Sequence, residues 1–409
     1  MHLNIKQEGR VSACWRYQGT IGDYRNESLE AMWNNDKMRE LRRAHLHGEQ
    51  PIECRSCWDF EKSGIESPRN TSNEQGEKLG VTEENMLETM GNDYTMPIEH
   101  LTKVELRFDN ICNLMCRHCS PVFSSRWHSA IHKDADLRSE FSKHSPLRKE
   151  DKHVKLTDEI IAEAENLSNH VTHFMVSGGE PLIHPKHYTF LENILHNADK
   201  IHLDYNSNLH TLEFKGKDIL NLWKQFKSFQ IRVSIDGYPD IYEYKRVDSN
   251  LDAVCQNIQR LIDEMPEAQI HTTCTTSVLN ITRLTKIFEF YNSIGGGLHT
   301  SLVQTPKALN PKILPALIKE EITDIWNDWI VNAEDNITRT AHPRITEHES
   351  GVKWQVDRAT RYGNYVVNYM NSEDRFFEWK MFKGYISAQD RYHNTNVLDV
   401  YPEFKPYWD

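Results

Sequence analysis

Three cysteines with a spacing suited to iron–sulfur chemistry lie in one short segment of the chain. The segment is Asn110-Ile-Cys-Asn-Leu-Met-Cys-Arg-His-Cys-Ser120, so Cys112, Cys116 and Cys119 form a C-x3-C-x2-C pattern. A [4Fe–4S] cluster normally takes four cysteine ligands, and no fourth cysteine lies nearby in the sequence. Three thiolates would therefore leave one iron atom open to a small molecule, which indicates catalysis rather than simple electron storage.

This cysteine pattern resembles the cluster-binding motif of the radical S-adenosylmethionine (SAM) superfamily. In that family the open iron binds the amino and carboxylate groups of SAM. An electron from the cluster then cleaves SAM to methionine and a 5′-deoxyadenosyl radical, which abstracts hydrogen from the substrate. The family usually has Tyr or Phe before the last cysteine, whereas this chain has His118, whose imidazole is flat enough to pack against SAM. The alternative is a structural zinc site, but such sites usually pair two cysteine knuckles, and none follows within about a hundred residues.

A Gly-Gly-Glu turn follows the second predicted strand of the chain, in the segment Ser-Gly-Gly-Glu-Pro-Leu. Two glycines at a strand end let the backbone approach a ligand closely, and a carboxylate beside them suits an ammonium group. Because it follows the cysteine motif by one strand–helix unit, the turn resembles the GGE motif of radical SAM enzymes. The resemblance implies that Gly178, Gly179 and Glu180 hold the amino group of SAM.

The third predicted strand ends in the segment Asp-Tyr-Asn-Ser-Asn, where the family often has a Thr-Asn-Gly turn. The side-chain amides of Asn206 and Asn208 could reach a ribose from this position. Asparagine is equally a common turn residue, so both interpretations stay open, and the ribose contact is better supported for Asn206 than for Asn208.

The fourth predicted strand carries the segment Val-Ser-Ile-Asp-Gly, followed by Tyr-Lys-Arg a few residues later. This part resembles the Ser-x-Asp-Gly segment and downstream arginine of radical SAM enzymes that act on peptides and proteins. The resemblance implies that Ser234 and Arg246 hold the methionine carboxylate of SAM, for which an arginine fork is well suited, and that Asp236 lies near the ribose. The alternative is a plain turn and a surface arginine.

A second group of cysteines lies near the N-terminus and consists of Cys14, Cys54 and Cys57. The intervening residues predict a capped helical pair that leads into a C-x2-C knuckle, a ligand pattern of zinc and iron–sulfur sites. The segment is similar to the auxiliary-cluster region of SPASM and twitch radical SAM proteins, although here it precedes the core. The resemblance implies an auxiliary iron–sulfur cluster, and since relatives often carry further cysteines upstream, it suggests a shortened N-terminus. The alternative is a zinc ion with a histidine such as His45 or His47.

The elements that would position these motifs alternate between β-type and helical segments from about residue 102 to 305. The six predicted strands are 104–108, 172–176, 201–205, 229–235, 270–277 and 298–303. This alternation predicts a parallel sheet with right-handed crossovers, and both an open doubly wound sheet and an incomplete barrel satisfy it. The cysteine motif favours the barrel. The predicted fold class is therefore α/β, a partial (β/α)6 TIM-type barrel with reactive groups after the carboxyl ends of its strands.

The chain divides into four predicted segments. They are an auxiliary metal-cluster domain at 1–66, a linker rich in Ser, Asn, Glu and Gly at 67–98, the radical SAM core at 99–306, and a helical C-terminal extension at 307–409. Within the core, the long polar stretch 120–153 is predicted to be a lid or disordered. Cys255 and Cys274 lie inside a predicted helix and strand and are assigned no function.

Composition limits the classes of partner and the cellular compartment that the sequence predicts. A net charge of −12 weighs against broad binding to a nucleic-acid backbone. The sequence has no stretch of about 18 apolar residues, so it predicts no membrane span. The first residues lack the apolar core of a signal peptide. Six of the eight cysteines fall in the two groups described above, which indicates metal ligation in a reducing cytoplasm rather than disulfides.

The sequence therefore predicts a radical SAM enzyme. Its expected cofactors are a [4Fe–4S] cluster, SAM and an auxiliary iron–sulfur cluster, with zinc as the alternative for the last. Its expected partners are an external electron donor such as flavodoxin or ferredoxin and a substrate, foremost a peptide or protein side chain. One alternative is a nucleotide or other small metabolite as substrate. The other is a zinc-stabilised binding module without catalysis, which does not explain why GGE and Ser-x-Asp-Gly motifs follow successive strands.

Overall fold

The computed structural model describes residues 2–62, 67–78, 81–144, 155–303, 305–347 and 349–408. Most of its strands are short, and six longer ones coincide with the predicted core strands. In chain order the strands are β1 (His2–Ile5), β2 (Arg10–Ser12), β3 (Gly22–Asp23), β4 (Lys103–Arg107), β5 (Met115–Cys116), β6 (His173–Ser177), β7 (His202–Ser207), β8 (Glu213–Phe214), β9 (Lys217–Asp218), β10 (Ser228–Ser234), β11 (Arg246–Val247), β12 (Gln269–Thr276) and β13 (Gly297–Leu302).

Helices separate the core strands and make up most of the C-terminal third. They are α1 (Leu29–Trp33), α2 (Asp36–Leu46), α3 (Arg55–Lys62), α4 (Pro68–Lys78), α5 (Glu83–Thr89), α6 (Ser125–Lys133), α7 (Ala135–Ser142), α8 (Asp158–Leu167), α9 (Pro185–Asn193), α10 (Leu220–Trp223), α11 (Pro239–Lys245), α12 (Leu251–Glu264), α13 (Leu284–Ser293), α14 (Ala316–Val331), α15 (Ala333–Thr340), α16 (Pro343–Thr346), α17 (Glu349–Asn371), α18 (Trp379–His393) and α19 (Val397–Val400). In the described part of the chain, none of these helices has the length and apolar character to cross a membrane.

The first of two compact units comprises Met1–Asp109, Val154–Tyr205 and Asn221–Phe229. In its sheet β1, β4, β6 and β7 are parallel neighbours in that order, while β2 and β3 add antiparallel strands beyond β1. The apolar side chains of the parallel strands form its core, as Leu3, Leu106 and Val176 are fully buried. The N-terminal segment therefore extends the core sheet, which the sequence did not predict.

The second compact unit comprises Asn110–His153, Asn206–Leu220 and Gln230–Asp409. Here β10, β12 and β13 are parallel neighbours, with α12 and α13 in the connections between them. Helix α12 begins where the side chain of Asn250 caps the N–H of Ala253, and its apolar residues Val254, Ile258 and Leu261 are buried. Two short antiparallel pairs, β5 with β11 and β8 with β9, complete the strands of this unit.

The predicted fold class is confirmed. All six core strands are present within two residues of their predicted bounds, they are parallel within each unit, and helices alternate with them as in a partial (β/α)6 arrangement. The helical C-terminal region is confirmed as well. The four predicted segment boundaries stay a prediction, but the segment proposed as a linker contains two short helices, α4 and α5, rather than irregular chain alone.

The polar stretch after the cysteine motif is largely helical where it is described, because α6 and α7 occupy most of it. Trp127 of α6 is fully buried, with its ring centroid 4.9 Å from that of Phe141 and 5.5 Å from that of His393 in α18. The stretch thus packs against the C-terminal helix of its own unit. The rest of the predicted lid, 145–153, lies outside the described residues.

Candidate active site

The cysteine motif is held by a short antiparallel pairing with a distant segment of the same unit. Strands β5 and β11 pair so that Cys116 lies opposite Arg246. The carbonyl of Cys116 accepts two hydrogen bonds, from the N–H of Cys119 at 2.9 Å and from Nε1 of Trp127 at 3.0 Å. These contacts fix the backbone between Cys116 and Cys119.

Arg246 is a cation that contacts the cysteine motif. Its Nη1 donates to Sγ of Cys116 at 3.5 Å, and its charge also acts on the thiols of Cys112 and Cys119. Its Nη2 forms an ion pair with Oδ2 of Asp236 at 2.7 Å. The Nε atom of Arg246 is buried and has no hydrogen-bond partner among the described residues. A buried donor without a partner is costly, so this atom is a position at which an anionic ligand would be stabilised.

Asp236 follows β10 by two residues and is completely buried. Besides Arg246, its carboxylate accepts from the N–H of Thr275 at 2.6 Å and lies 3.8 Å from Nζ of Lys245. Burial alone would raise the pKa of Asp236, but the charges of Arg246 and Lys245 outweigh it and hold the pKa well below its usual range. The carboxylate is therefore ionised at neutral pH and fixes the guanidinium of Arg246 beside the cysteines.

His118 is neutral in this surrounding. Burial, and after it the charges of Lys245 and Arg246, lower its pKa to about 3, although Asp236, 3.4 Å from Nε2, acts in the opposite direction. A neutral, half-buried imidazole ring in the place of the usual aromatic residue supplies a flat surface without adding charge. The predicted packing of His118 against SAM stays a prediction.

The thiols of Cys116 and Cys119 have raised pKa values when no metal is bound. Burial raises the pKa of Cys116, and burial together with the neighbouring Cys116 raises the pKa of Cys119 to about 12. Only the thiolate binds a metal, so binding displaces protons and the negative charge gained must be balanced. Arg246 and Lys245 supply that balance next to Cys116, and in this respect the residues fit a thiolate-bound cluster.

The Gly-Gly-Glu turn belongs to the first unit, where it follows β6. Gly178 has a φ of +124°, and a Cβ atom there would lie 3.0 Å from the carbonyl oxygen of Asp109. The N–H of Gly179 donates to the same oxygen at 3.1 Å. Glu180 is buried, and its Oε1 accepts from the N–H of Leu182 at 3.1 Å, which caps the 3-10 turn that follows. Both the positive φ and the close backbone approach require glycine at 178.

The remaining predicted contacts to SAM are placed in the second unit. Asn206 lies in β7 and is partly exposed, and Ser234 is the last residue of β10. Asn208 is engaged in protein contacts, because its Nδ2 donates to Oδ1 of Asn113 at 2.8 Å and its Oδ1 accepts from the N–H of His210 at 3.0 Å. Asn208 thus supports the cysteine segment through Asn113. The assignments of Asn206, Ser234, Asp236, Arg246 and the glycine turn to SAM remain predictions.

Two residues of this site could not be recognised in the sequence. Lys245 is fully buried, and its Nζ donates to the carbonyl of Thr275. Burial lowers its pKa, with Asp236 acting against that shift. Trp127, the second, bonds Cys116 through its indole. A lysine next to an arginine is ordinarily solvent-exposed, and a tryptophan eleven residues from a cysteine gives no signal, so neither contact has a local sequence pattern.

The N-terminal cysteines share one cavity in the first unit. The cavity has a volume of about 320 Å³, and Cys14, Cys54, Cys57 and His45 are among the residues that line it. Nε2 of His45 lies 3.7 Å from Sγ of Cys54. Burial and then the neighbouring thiols raise the pKa of Cys54 to about 12, and burial also raises the pKa of Cys14. The charges of Cys14 and Cys57 therefore both act on the thiol of Cys54.

A single zinc ion would need ligands that converge on one point in a tetrahedral arrangement. Among the residues that the structure describes, no three His, Cys, Asp or Glu side chains converge in that way. In an iron–sulfur cluster each cysteine binds a different iron atom, so its sulfurs need not converge. Cys14, Cys54 and Cys57 line one cavity, and a cluster bound there would not require their sulfurs to converge on one point.

Two family models match the chain. The model of the radical SAM superfamily matches residues 106–289, and the model of the SPASM domain, described as an iron–sulfur cluster-binding domain, matches residues 1–58. The first range contains Cys112, Cys116 and Cys119, and the second contains the N-terminal cysteines. No curated protein matches the chain.

Solved structures to which the chain is similar include native anSMEcpe with bound AdoMet and Kp18Cys peptide, at 14% identity and a TM-score of 0.38 over 57% of this chain and 62% of that one. They also include Streptococcus suis SuiB bound to S-adenosylmethionine, at 11% identity and a TM-score of 0.35 over 57% of this chain and 45% of that one. The same protein bound to precursor peptide SuiA matches at 10% identity and a TM-score of 0.36, over 75% and 62% of the two chains. The chain thus spans less than two thirds of each of these structures.

Proposed function

We propose that the chain cleaves SAM reductively and uses the radical to take hydrogen from a peptide or protein side chain. This proposal is supported by the match of residues 106–289 to the radical SAM superfamily model and of residues 1–58 to the SPASM iron–sulfur cluster-binding domain model. The observation that carries this proposal is the pairing of Cys116 with Arg246 across β5 and β11. It brings Cys116, a candidate cluster ligand, into contact with Arg246, a candidate ligand of the SAM carboxylate.

The proposal assigns Cys112, Cys116 and Cys119 to a [4Fe–4S] cluster, which when bound supplies the electron that cleaves the sulfonium of SAM. Arg246 binds the methionine carboxylate, and its buried Nε without a partner supports this role. Asp236 orients that guanidinium through the 2.7 Å ion pair. Ser234 is the second candidate for the carboxylate, while the Gly178–Glu180 turn binds the amino group and Asn206 the ribose.

The auxiliary centre is assigned to Cys14, Cys54 and Cys57. They line one cavity, and the SPASM match covers all three. In this proposal the centre either passes electrons or anchors the substrate, and the electron for SAM cleavage comes from an external donor such as flavodoxin or ferredoxin in a reducing cytoplasm. A peptide or protein substrate is favoured because the Ser-x-Asp-Gly segment and its arginine are similar to those of peptide-modifying members of the superfamily.

The test is anaerobic reconstitution of the full chain with iron and sulfide, followed by metal counting and an assay of 5′-deoxyadenosine from SAM with a strong reductant. We expect about eight irons per chain for two clusters and about four if only the central one forms. Cys116→Ala abolishes deoxyadenosine formation, whereas Cys54→Ala lowers the iron content but spares some uncoupled cleavage. Cys255→Ala is the matched control, because Cys255 lies on α12 outside both groups. Zinc without SAM cleavage, or normal cleavage by Cys116→Ala, contradicts the proposal.

The substrate class is tested separately with the reconstituted enzyme. Pools of peptides with deuterated side chains and pools of deuterated nucleosides are offered with SAM and reductant, and the mass of 5′-deoxyadenosine is measured. Deuterium that appears in 5′-deoxyadenosine only with peptides supports the peptide assignment. Transfer only from nucleosides replaces it by the small-metabolite alternative while leaving SAM cleavage intact.

A further inference from the structure

The residue between Cys116 and His118 is bound by the C-terminal helical region of its unit. Arg117 is completely buried, although a lone arginine between two cysteines gives no reason to expect that. Its Nη2 forms an ion pair with Oδ1 of Asp390 at 2.9 Å and donates to the hydroxyl of Thr395 at 2.6 Å. Its Nε donates to the carbonyl of Tyr244 at 2.8 Å, and its guanidinium carbon lies 3.8 Å from the centroid of that ring.

The backbone of Arg117 is also hydrogen-bonded, to α11 and to α18. Its N–H donates to the carbonyl of Lys245 at 2.9 Å. Its carbonyl accepts from the hydroxyl of Tyr385 at 3.2 Å and from Nε2 of Gln389 at 3.3 Å, and both donors belong to α18. The peptide groups on either side of Arg117 are therefore anchored by residues far away in the sequence, so that the loop between Cys116 and Cys119 is fixed by the C-terminal extension.

Asp390 is the centre of this network. Besides Arg117, its Oδ1 accepts from the hydroxyl of Tyr244 at 2.9 Å and from that of Thr395 at 2.7 Å. Its Oδ2 accepts from the N–H of Val397 at 2.7 Å, which ties the end of α18 to the start of α19. One buried carboxylate thus connects the cysteine loop, the segment before Arg246 and the C-terminal helices.

We propose that α18 is a positioning element for the SAM-cleaving cluster, with Asp390 as a positioning residue that acts through Arg117. This inference rests on the assignment of Cys112, Cys116 and Cys119 to that cluster. A buried guanidinium needs a counter-charge, and Asp390 both supplies it and fixes the loop that carries two of the ligands. The carboxylate also offsets a positive charge beside the cluster, so its removal stabilises the more negative, reduced cluster and raises the reduction potential.

The test compares Asp390→Asn, which keeps the shape of the side chain and removes its charge, with Asp399→Asn on the exposed part of α19 as the matched control. Iron release to a chelator and the EPR-monitored reduction potential are measured after anaerobic reconstitution in a Cys14→Ala/Cys54→Ala/Cys57→Ala background. That background isolates the central cluster. Asp390→Asn is expected to release iron about tenfold faster, since the loop loses its anchor, and to shift the potential upward, while Asp399→Asn matches the parent. Equal release and equal potential in the two variants overturn the inference.

A second variant separates positioning from general destabilisation. The double substitution Arg117→Met with Asp390→Leu removes both charges and fills the site with apolar side chains, a replacement that is often neutral for stability. Its potential is expected to return toward the parent value, because no net charge is added. A role of the pair in folding alone predicts that neither variant moves the potential, and such a result contradicts the proposal.

The metal-free chain provides a test that does not depend on the proposed function. Without metal, the thiols of the cysteine loop are expected to react with Ellman's reagent faster in Asp390→Asn than in Asp399→Asn, and an equal rate contradicts the anchoring. If the parent chain binds no cluster, the proposed function fails, but the difference in thiol reactivity still decides whether α18 fixes the loop.

Discussion

Replacement of Asp236 by asparagine probes the electrostatic centre of the candidate site. The carboxylate is fully buried, and it lies 2.7 Å from Nη2 of Arg246 and 3.8 Å from Nζ of Lys245. Asparagine keeps the size of the side chain and its oxygen can still accept from the N–H of Thr275. The substitution therefore removes one charge and leaves two buried cations without their counter-ion, which is the situation in which a buried ion pair matters most.

The expected loss of unfolding free energy follows from that geometry. Removing one partner of a buried pair costs about 3–5 kcal/mol, because the remaining charge stays buried. Lys245 moderates the loss, since burial already lowers its pKa and release of its proton relieves one of the two charges. We therefore expect about 3 kcal/mol, at the lower end of the range. The depressed pKa of Asp236 makes its contribution complete above the unfolded pKa of about 3.9 and lost only as pH falls below it.

The assay is equilibrium unfolding in urea at several pH values, followed by tryptophan fluorescence on the metal-free chain. Asp240→Asn is the matched control, because Asp240 is 45% exposed and lies 3.4 Å from Nε of Arg283, so its replacement is expected to cost less than about 1 kcal/mol. The difference between Asp236→Asn and the parent should be constant from about pH 8 to 5. A loss no larger than that of the control, or one that disappears already near pH 7, would refute the assignment of Asp236 as the buried counter-ion.

Three further outcomes are expected. Gly178→Ala should lower the unfolding free energy by about 1–3 kcal/mol, because φ is +124° there and the new Cβ meets the carbonyl of Asp109; an unchanged urea midpoint would contradict this. His45→Ala should increase the rate at which auxiliary iron is released to a chelator, because His45 contacts Cys54. His47→Ala, two residues further along the chain, is the control and should leave that rate unchanged. Burial lowers the pKa of His187 to about 3, so as pH falls the unfolded chain takes up this proton before the folded chain does. The unfolding free energy of the parent should therefore fall by about 1 kcal/mol between pH 7 and 5.5 because of this group. In His187→Gln the unfolding free energy should change less over the same pH range.

The core strands were predictable because each is a short apolar segment between amphipathic helices, and the pattern is repeated six times. The strand predicted at 201–205, for example, is observed as His202–Ser207. The pairing of β1 with β4 was not predictable, since a four-residue strand has too little periodicity to indicate its partner. Helix α4 was missed for a related reason: its own residues are polar, and part of its stabilisation is tertiary, through Arg69, which lies over the ring of Trp58 and pairs with Glu61 at 2.7 Å.

The candidate site was predictable where spacing along the chain carries the chemistry. The C-x3-C-x2-C motif and the Ser-x-Asp-Gly segment are local, and the structure adds that Arg246 and Asp236 are ion-paired beside Cys116. The network of Arg117 and Asp390 could not be predicted from the sequence. Its two charged residues lie near opposite ends of the second unit's sequence, and neither belongs to a recognisable motif. Pairing between distant residues is a property of the fold, and it becomes visible only when the packing of α18 is known.

The buried charges around the cysteine loop indicate the charge of the group that would be stabilised there. Among the described residues, Arg117, Lys245 and Arg246 are three buried cations, and Asp236 and Asp390 are two buried carboxylates. One positive charge is therefore left over before any cysteine of the loop is ionised. Three thiolates on a dipositive four-iron core carry one net negative charge, which cancels that excess. Binding of a cluster therefore relieves an imbalance that the metal-free chain carries in its interior, and the cluster should stabilise the second unit by more than the metal–sulfur bonds alone would.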